Sequence, residues 1–246
     1  MKRGAGSLTV FTLFFVAPEG ITQDEIDLRG PQAHHAISVL RIQKSEVLRF
    51  ADGMGNWVEG PVTEIGKDVV KILVQNRGKD KAPSAEISLA QAVLKGENQK
   101  AALDQLVQAG VDSIIPWQAQ RSVAALDKTV KWREVIYAAA RQSRRARLPE
   151  LASMTNLAGV LAASSHFDSV IAFHESGEVS LSAVPGISYA RSILAIIGPE
   201  GGLSTEEIDQ LTAAGIPLVK LGDPVLRADL AGAIALGALK VLTKQW

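Results

Sequence analysis

The chemically most informative stretch of the sequence is a glycine-rich turn at residues 196–204, Ile-Ile-Gly-Pro-Glu-Gly-Gly-Leu-Ser. A short apolar run precedes it, and Ser204 with Glu207 forms the capping-box pattern that begins a helix. Its glycines permit positive φ angles and let a ligand approach the backbone closely. Open α/β sheets bind ligands at the carboxyl ends of their strands, so the turn is a candidate ligand loop. The alternative is a tight turn in which glycine serves geometry alone.

A second candidate loop follows the next predicted strand, at residues 221–229, Leu-Gly-Asp-Pro-Val-Leu-Arg-Ala-Asp. Its Arg227 stands at the predicted start of a helix, where the helix dipole favours anions rather than cations. A residue that breaks a local rule beside a ligand loop is a functional candidate. A solvated arginine is the alternative explanation.

A third feature is the positive charge of residues 131–147, where six basic residues stand against Glu134 alone. Their spacing predicts that Arg141, Arg144 and Arg145 share one face of a helix. Arginine forms bidentate contacts with phosphate, so we predict contact with RNA or DNA, with a solvated helix face as the alternative. The predicted RNA-binding residues are Arg41, Lys95, Lys100, Arg121, Arg141, Arg144, Arg145 and Arg147.

Composition excludes several kinds of chemistry. The 246 residues contain 26 Lys and Arg, 26 Asp and Glu, and no cysteine. A formal net charge of zero leaves no overall field toward polyanions, so any such contact needs a local surface. Without cysteine there is no disulfide, thiolate metal site, iron–sulfur cluster or cysteine nucleophile. His34 and His35 are adjacent and do not form a metal pair, so we predict no metal.

The elements that must position these residues fall into two parts. Residues 8–80 contain short β-type runs and one predicted helix at 32–40, which indicates a small β-barrel domain. In residues 84–246 strands and helices alternate, which indicates a mostly parallel α/β sheet. Predicted strands there are 86–94, 111–117, 168–173, 192–197 and 216–221, and predicted helices are 98–109, 131–145 and 230–242.

The last of these helices, at 230–242, is apolar nearly all round. Such a helix lies either in the domain core or against a second subunit. It is too short to span a bilayer, and the apolar stretch at 8–17 is interrupted by threonines. We therefore expect a cytoplasmic protein without a membrane segment.

The two candidate loops together resemble the RsmE family of ribosomal RNA (uracil-N3) methyltransferases, within the SPOUT or trefoil-knot superfamily. Gly198–Gly202 and Leu221-Gly222 with Val225-Leu226-Arg227 carry most of the resemblance. Asp229 stands where the family commonly has glutamate, and Pro224 and Leu230 also depart from its pattern. Further matches run in family order from about Phe14 to Leu242: His35 with Val39-Leu40-Arg41, Asp52–Gly55, Lys95, Arg121-Ser122, and Gln142-Ser143 with Arg145 and Pro149.

The resemblance implies a fold and a set of partners. The fold would be a C-terminal trefoil-knotted parallel-sheet α/β domain (84–246) with a smaller N-terminal PUA-like or OB-like β-barrel that binds RNA (8–80). The cofactor would be S-adenosylmethionine, and the substrate a uridine N3 of 16S ribosomal RNA, free or in the small ribosomal subunit. The family works as a homodimer, which suits the apolar last helix.

Roles for residues follow from the chemistry of N3 methylation and from the resemblance. The N3 proton must leave, so we hypothesise that Arg227 stabilises the anion of the uracil. Asp229 or Glu200 would accept the proton, with water equally able to do so. The predicted cofactor-binding residues are Phe173, His174, Glu175, Ile197, Gly198, Pro199, Glu200, Gly201, Gly202, Leu221, Gly222, Val225, Leu226 and Arg227.

Other functions stay open at this point. Without cysteine, addition to uracil C5 and radical methylation are excluded, so a methyl group would pass directly to nitrogen or oxygen. Another RNA position, such as a ribose 2′-hydroxyl, would fit the same fold. A non-catalytic RNA-binding assembly factor and an α/β enzyme that binds nucleotide phosphates at the glycine turn are further alternatives.

Overall fold

The computed structural model describes residues 12–123 and 129–246. Contacts divide the chain into two compact units. The first unit holds the described residues up to Lys81 together with Ala140–Arg147, and the second holds those of Ala82–Ala139 and Leu148–Trp246. The linear boundaries at 80 and 84 leave out this return of residues 140–147 to the first unit, which depends on packing between segments far apart in sequence.

The first unit is a curled mixed sheet. Its path runs β1-β3-β4-β5-β2, with β6 paired to β4. The β1–β3 pair is parallel, and the β3–β4, β4–β5, β2–β5 and β4–β6 pairs are antiparallel. The strands are β1 (Thr12–Phe15), β2 (Glu25–Arg29), β3 (Val47–Ala51), β4 (Asn56–Ile65), β5 (Val69–Leu73) and β6 (Asn76–Lys79).

Apolar and polar residues alternate along the strands of this sheet, so that one side of it faces the core. In β2, Ile26 and Leu28 are buried while their neighbours are exposed, as period-two strands require. The inward residues of the strands pack into one core with Phe14, Leu48, Phe50 and Val70. Asp52 begins the predicted glycine-rich turn between β3 and β4, and its Oδ1 accepts the amide N–H of Met54 at 2.7 Å.

The helix predicted at 32–40 is not one α-helix. An α-helical turn, α1 (Gly30–His34), continues as a π-helical turn over His35–Val39. The Leu40 N–H donates to the carbonyl of His35 at 3.0 Å, which is the five-residue spacing of a π-helix. Ala33 and Ala36 are both fully buried on its inner side. Apolar spacing does not distinguish so short a π-turn from an α-helix.

The second unit is an eight-stranded sheet in the order β10-β8-β7-β13-β11-β14-β12, with β9 paired to β8. Every pairing among its described strands is parallel. The central strands are buried almost throughout, as in sheets covered on both faces. The strands are β7 (Glu86–Ala92), β8 (Ser113–Gln118), β9 (Glu150–Leu151), β10 (Thr155–Asn156), β11 (Ser169–Phe173), β12 (Val179–Ser180), β13 (Ser192–Ile197) and β14 (Leu218–Lys220).

Helices connect these strands. They are α2 (Gly96–Gln108), α3 (Thr129–Gln142), α4 (Leu157–Ser164), α5 (Thr205–Ala213) and α6 (Ala228–Leu242). The last helix packs on α2, β7 and β13. Gly232 permits this close approach, because a Cβ there would lie 3.0 Å from Leu89 Cδ2 and 3.1 Å from Leu106 Cδ2. One face of this apolar helix, with Ala235, Leu236 and Leu239, is therefore buried against the second unit, while other apolar residues of the helix stay exposed.

The predicted arginine face of the helix at 131–145 is wrong. The helix α3 ends at Gln142, and Arg144 has a left-handed φ of 57°. Arg145 N–H donates to the carbonyl of Ala140 at 2.9 Å, and Arg144 N–H donates to that of Arg141 at 3.2 Å. These two bonds form a Schellman motif, which closes a helix. Arg144 and Arg145 therefore lie beyond the helix and share no helical face with Arg141.

Candidate functional site

An open cavity of about 830 Å³ lies in the second unit, where β11, β13 and β14 end. The three loops that follow these strands line it, namely 173–175, 197–203 and 219–229. Neighbouring parallel strands end at the same edge of a sheet, so loops distant in sequence meet there. Every residue predicted to bind the cofactor lines this cavity, as do the three predicted catalytic residues. Their roles stay predictions.

The glycine turn is shaped by close packing as well as by backbone freedom. Gly202 has a φ of 68°, which side chains rarely adopt. A Cβ at Gly201 would lie 3.1 Å from the Cβ of Arg121, and one at Gly198 would lie 3.1 Å from Leu203 Cδ2. Glycine is therefore needed here for geometry, while the turn also lines the cavity.

Arg121 supports this turn directly. Its Nη1 donates to the carbonyl of Gly201 at 3.0 Å. The sequence placed Arg121 in a basic surface for RNA, whereas the structure brings it to the rim of the cavity. Its charge still reaches solvent, because the residue is exposed.

The predicted capping box is present at the start of α5. Ser204 Oγ accepts the N–H of Glu207 at 3.1 Å, and Glu207 Oε2 accepts the N–H of Ser204 at 2.8 Å. The other carboxylate oxygen of Glu207 accepts the N–H of Gln120 at 2.8 Å. One buried carboxylate thus ties the glycine turn to the segment that carries Arg121.

A chain of four polar side chains crosses one edge of the cavity. Arg227 donates through Nε to Asp229 Oδ1 at 3.0 Å and through Nη2 to Asp229 Oδ2 at 3.1 Å. Its Nη2 also donates to Asn98 Oδ1 at 3.1 Å. The amide Nδ2 of Asn98 donates in turn to Glu200 Oε1 at 2.9 Å. The chain joins the glycine turn to the start of α6 through the first turn of α2.

Arg227 is held but open to ligand. Its side chain is 72% exposed, whereas that of Asp229 is 13% exposed. The Asp229 carboxylate fixes two of its nitrogens, and Nη1 has no hydrogen-bond partner in the described part of the chain. The guanidinium therefore presents a positioned donor and a positive charge at the cavity.

Glu200 is an anchored carboxylate. Its Oε1 also accepts the backbone N–H of Lys95 at 3.0 Å. Partial burial raises the pKa of Glu200, but hydrogen bonds from Asn98 and from the N–H groups of Lys95 and of Glu200 itself outweigh this and hold the pKa below its ordinary value. The two hydrogen bonds to Oε1 tie the glycine turn to the start of α2.

We expect Glu200→Gln to lower the free energy of unfolding by an amount that depends on pH. The hydrogen bonds favour the ionised form, so their contribution is present above the ordinary pKa of 4.5 and is lost as pH falls through the lower folded value. The effect should be below about 1 kcal/mol because the group is mostly exposed. Thermal unfolding should separate the two proteins at pH 7 and bring them together in acid. An equal separation at every pH would contradict this.

Sequence reasoning missed Asn98, the residue that links Arg227 to Glu200. Its only local signal is its place in the first helical turn after β7, at the same edge of the sheet as the predicted loops. The further lining residues that were not predicted are Leu203, Val219, Lys220, Asp223, Pro224, Ala228 and Ala231.

The other predicted RNA-binding residues do not line the cavity. Lys95 and Lys100 are exposed near the start of α2 in the second unit. Arg41 and the four arginines of 140–147 belong to the first unit.

The described residues contain neither a cluster of metal ligands nor a helix that could span a membrane. Across residues 12–123 and 129–246, no three His, Cys, Asp or Glu side chains are grouped to hold a metal ion. None of the helices in those two ranges has both the length and the apolar character to cross a membrane.

Comparison with known proteins shows where this architecture belongs. The RNA methyltransferase domain family matches residues 80–240, and the RNA methyltransferase PUA domain matches residues 28–75. Ribosomal RNA small subunit methyltransferase E of Mycobacterium bovis is 33% identical over 247 residues, covering 96% of this chain and 94% of that protein. The chain belongs to the ribosomal RNA small subunit methyltransferase E family. The Bacillus subtilis protein of that name is 27% identical, covering 88% of this chain and 90% of the relative.

The fold of this RsmE family member matches a solved relative. The crystal structure of ribosomal RNA small subunit methyltransferase E from Neisseria gonorrhoeae, bound to S-adenosyl methionine, aligns with a TM-score of 0.85 at 23% identity, covering 95% of this chain and 98% of that one. The predicted RsmE membership is confirmed. The predicted fold class is confirmed as a parallel α/β unit with a smaller PUA-like unit, and the knot stays a prediction.

Proposed function

We propose that this chain methylates N3 of a uridine in 16S ribosomal RNA of the small subunit, with S-adenosylmethionine as methyl donor. One observation carries the proposal: in a chain of the RsmE family, the three loops predicted to bind the cofactor line one cavity. The Neisseria relative, which has this fold, is bound to S-adenosyl methionine. Because ribosomal RNA is the substrate, we place the protein in the cytoplasm.

The cavity suits this cofactor. Its volume falls within the range of about 300–1,000 Å³ that is usual for small-molecule sites. Loops 173–175, 197–202 and 221–227 would hold the cofactor, largely through backbone groups that the glycines leave accessible. When bound, S-adenosylmethionine supplies a methyl group on a positively charged sulfur.

Arg227 has the central chemical role. Methylation at N3 requires loss of the N3 proton, which spreads negative charge over N3, O2 and O4 of the uracil. A fixed guanidinium beside the ring stabilises this charge as it develops. Asp229 orients Arg227 through two hydrogen bonds, so the donor is already in place before the substrate arrives.

The acceptor of the N3 proton is best assigned to water. Both oxygens of Asp229 already accept from Arg227, and Oε1 of Glu200 accepts from Asn98 and Lys95. A carboxylate that is engaged in this way gains less from taking a proton. Arg227 makes water sufficient because it lowers the pKa of the uracil N–H.

We also propose a homodimer formed through α6. Leu230, Ile234 and Val241 recur at four- and seven-residue intervals on one stripe of this helix and are 39%, 38% and 59% exposed. Trp246 is 66% exposed and lies close to Gly237, whose Cβ would be 3.2 Å from the ring. A contiguous apolar stripe on a folded protein marks a protein interface.

The passage of α6 back onto α2, β7 and β13 after the distant β14 also supports the predicted trefoil knot.

We expect Ile234→Glu to convert the dimer to monomer, because it places a charge in the centre of the apolar stripe. Size-exclusion chromatography with light scattering gives the mass of each form. Gln210→Glu adds the same charge at an exposed position of α5 and should leave the mass unchanged. A monomeric wild-type protein, or a dimeric Ile234→Glu variant, would contradict the interface.

Mass spectrometry of ribosomal RNA nucleosides tests the function itself. A strain lacking this gene should lose 3-methyluridine from 16S RNA and regain it when the gene is restored. Loss of a 2′-O-methylated nucleoside instead would assign another acceptor position. If no nucleoside changes and calorimetry with millimolar S-adenosylmethionine shows no binding, the chain is a non-catalytic assembly factor, which the departures at Pro224 and Leu230 would then explain.

A further inference from the structure

Asn98 stands in the middle of the chain of polar side chains at the edge of the cavity. Its Oδ1 accepts from Nη2 of Arg227 at 3.1 Å, and its Nδ2 donates to Oε1 of Glu200 at 2.9 Å. A guanidinium can only donate hydrogen bonds, and an ionised carboxylate can only accept them. Glu200 is ionised at neutral pH, because its hydrogen bonds hold the pKa below the ordinary value. The two neighbours therefore fix the orientation of the Asn98 amide, since a flipped amide would lose both bonds.

One donor of this fixed amide is unused. An amide nitrogen carries two N–H groups, and the contact with Glu200 uses one of them. The second N–H has no acceptor within residues 12–123 and 129–246. Asn98 is half-buried in the first turn of α2 and lines the cavity. A positioned donor in a cavity is suited to an acceptor on the ligand.

Arg227 offers a second unused donor on the neighbouring group. This donor is Nη1, which lacks a partner among the residues that the structure describes. The bond from Nη2 of Arg227 to Oδ1 of Asn98 joins the planar guanidinium to the planar amide. Asp229 fixes the guanidinium through two hydrogen bonds, and Glu200 fixes the amide. The two unused donors thus belong to a pair of groups that is held at both ends.

Two neighbouring donors match the edge of uracil that carries N3. O2 and O4 flank N3, and all three atoms accept hydrogen bonds once the N3 proton has left. Proteins read unstacked RNA bases through hydrogen bonds to this edge. We propose that Asn98 is a specificity-determining residue that donates its second amide N–H to one of these oxygens, while Arg227 donates to the other. The inference rests on the proposed function for the identity of the base, and it adds a residue that selects that base.

This pair of donors would discriminate against cytosine. Cytosine carries an amino group where uracil has O4, so a protein donor would face another donor. A site built to hydrogen-bond its substrate rejects an analogue that cannot complete those bonds, because its polar groups are left unpaired. The same contacts stabilise the N3 anion, since its negative charge spreads onto both oxygens. Selection of the base and the rate of methyl transfer therefore depend on the same two contacts.

Sulfur substitution in the RNA tests each contact separately. Sulfur accepts hydrogen bonds weakly, so 2-thiouridine and 4-thiouridine each weaken one of the two acceptors. Small subunits reconstituted with one thiouridine at the methylated position are compared with unsubstituted subunits in single-turnover methylation at saturating S-adenosylmethionine. For one of the two oxygens, the ratio of the oxygen rate to the sulfur rate should be about 5- to 10-fold smaller in Asn98→Ala than in the wild type. Arg227→Ala should show the same decrease at the other oxygen.

Comparing these ratios between proteins removes the intrinsic effect of sulfur. Sulfur also changes the acidity of the N3 proton, but it does so equally for the wild type and for each variant. A matched control is Glu97→Ala, which removes an exposed side chain from the same helical turn, outside the cavity lining. This control should leave both the rate and the sulfur ratios unchanged.

A second variant separates donation to the substrate from support of Arg227. Asn98→Asp keeps an acceptor for Arg227 but has no N–H to donate. We expect Asn98→Ala to slow methylation of unsubstituted subunits about 10-fold, and Asn98→Asp to be at least as slow. If Asn98 acted only by holding Arg227, Asn98→Asp would keep the wild-type rate, and that result would overturn the inference.

The outcomes of the sulfur experiment distinguish this inference from the proposed function. If the wild-type protein methylates uridine N3 and neither sulfur ratio decreases in Asn98→Ala, the inference fails while the proposed function stands. Equal decreases at both oxygens would indicate a general disturbance of the site and would also overturn it. A wild-type protein that methylates a ribose 2′-hydroxyl, or no nucleoside, would overturn the proposed function and this inference together.

Discussion

Replacing Arg227 with alanine should reduce methyl transfer about 10²- to 10³-fold, the usual effect of removing one donor that stabilises charge in the transition state. The uracil N3 anion would lose its positioned cation. The affinity for S-adenosylmethionine should change far less, because Arg227 is 72% exposed at the rim while backbone loops form the rest of the cavity. Single-turnover methylation of unmethylated small subunits gives the rate, and calorimetry gives cofactor affinity.

Two companion variants show whether position or charge matters. Arg227→Lys keeps the charge but cannot reproduce both hydrogen bonds to Asp229, so it should recover only part of the rate. Asn98→Ala keeps the Arg227–Asp229 pair and removes the third contact, so it should slow turnover less than Arg227→Ala. Full turnover in Arg227→Ala would remove Arg227 from the mechanism.

Replacing Glu207 with alanine should lower the free energy of unfolding by about 2–6 kcal/mol, because it leaves two amide N–H groups without an acceptor and each costs roughly 1–3 kcal/mol when unsatisfied. These are the N–H groups of Ser204 and Gln120, which its two carboxylate oxygens accept. The residue is only 2% exposed, so water cannot easily replace the lost acceptors. Urea unfolding measures the change.

The loss should extend to ligand binding. Glu207 holds the glycine turn and the Gln120 segment together, so S-adenosylmethionine affinity should fall along with stability. Asp209→Asn removes an exposed carboxylate from the same helix and should change the unfolding free energy by no more than about 0.5 kcal/mol. If the two variants unfold at the same urea concentration, the Glu207 contacts are not stabilising.

These two sites also show what sequence alone could predict. The capping box spans four consecutive positions, so Ser204 and Glu207 reveal it locally, and the structure contains it. The bond from Glu207 to Gln120 joins residues 87 positions apart and leaves no local pattern. The gathering of the three loops was predictable because parallel strands end at one edge, and because the resemblance named the same loops.

The prediction that Arg141, Arg144 and Arg145 share a helical face was wrong for a physical reason. The spacing of the residues predicted a helix that continues through Arg145. Glycine is the usual signal for a helix end, and none is present there. The chain adopts the glycine-type geometry with Arg144 instead. Asn98 was missed because a single polar residue at a helix start has many uses, and only the fold brings it to Arg227.

The return of residues 140–147 to the first unit has a consequence for biosynthesis. A ribosome adds roughly 5–20 residues per second and releases the N-terminal part of a chain first. The sheet of the first unit, whose last strand ends at Lys79, must therefore wait several seconds for Arg147 to emerge before the turn at Gly53 and Met54 receives its partner. A nascent chain truncated between these points should be digested at that turn by protease, and one extended past Arg147 should resist.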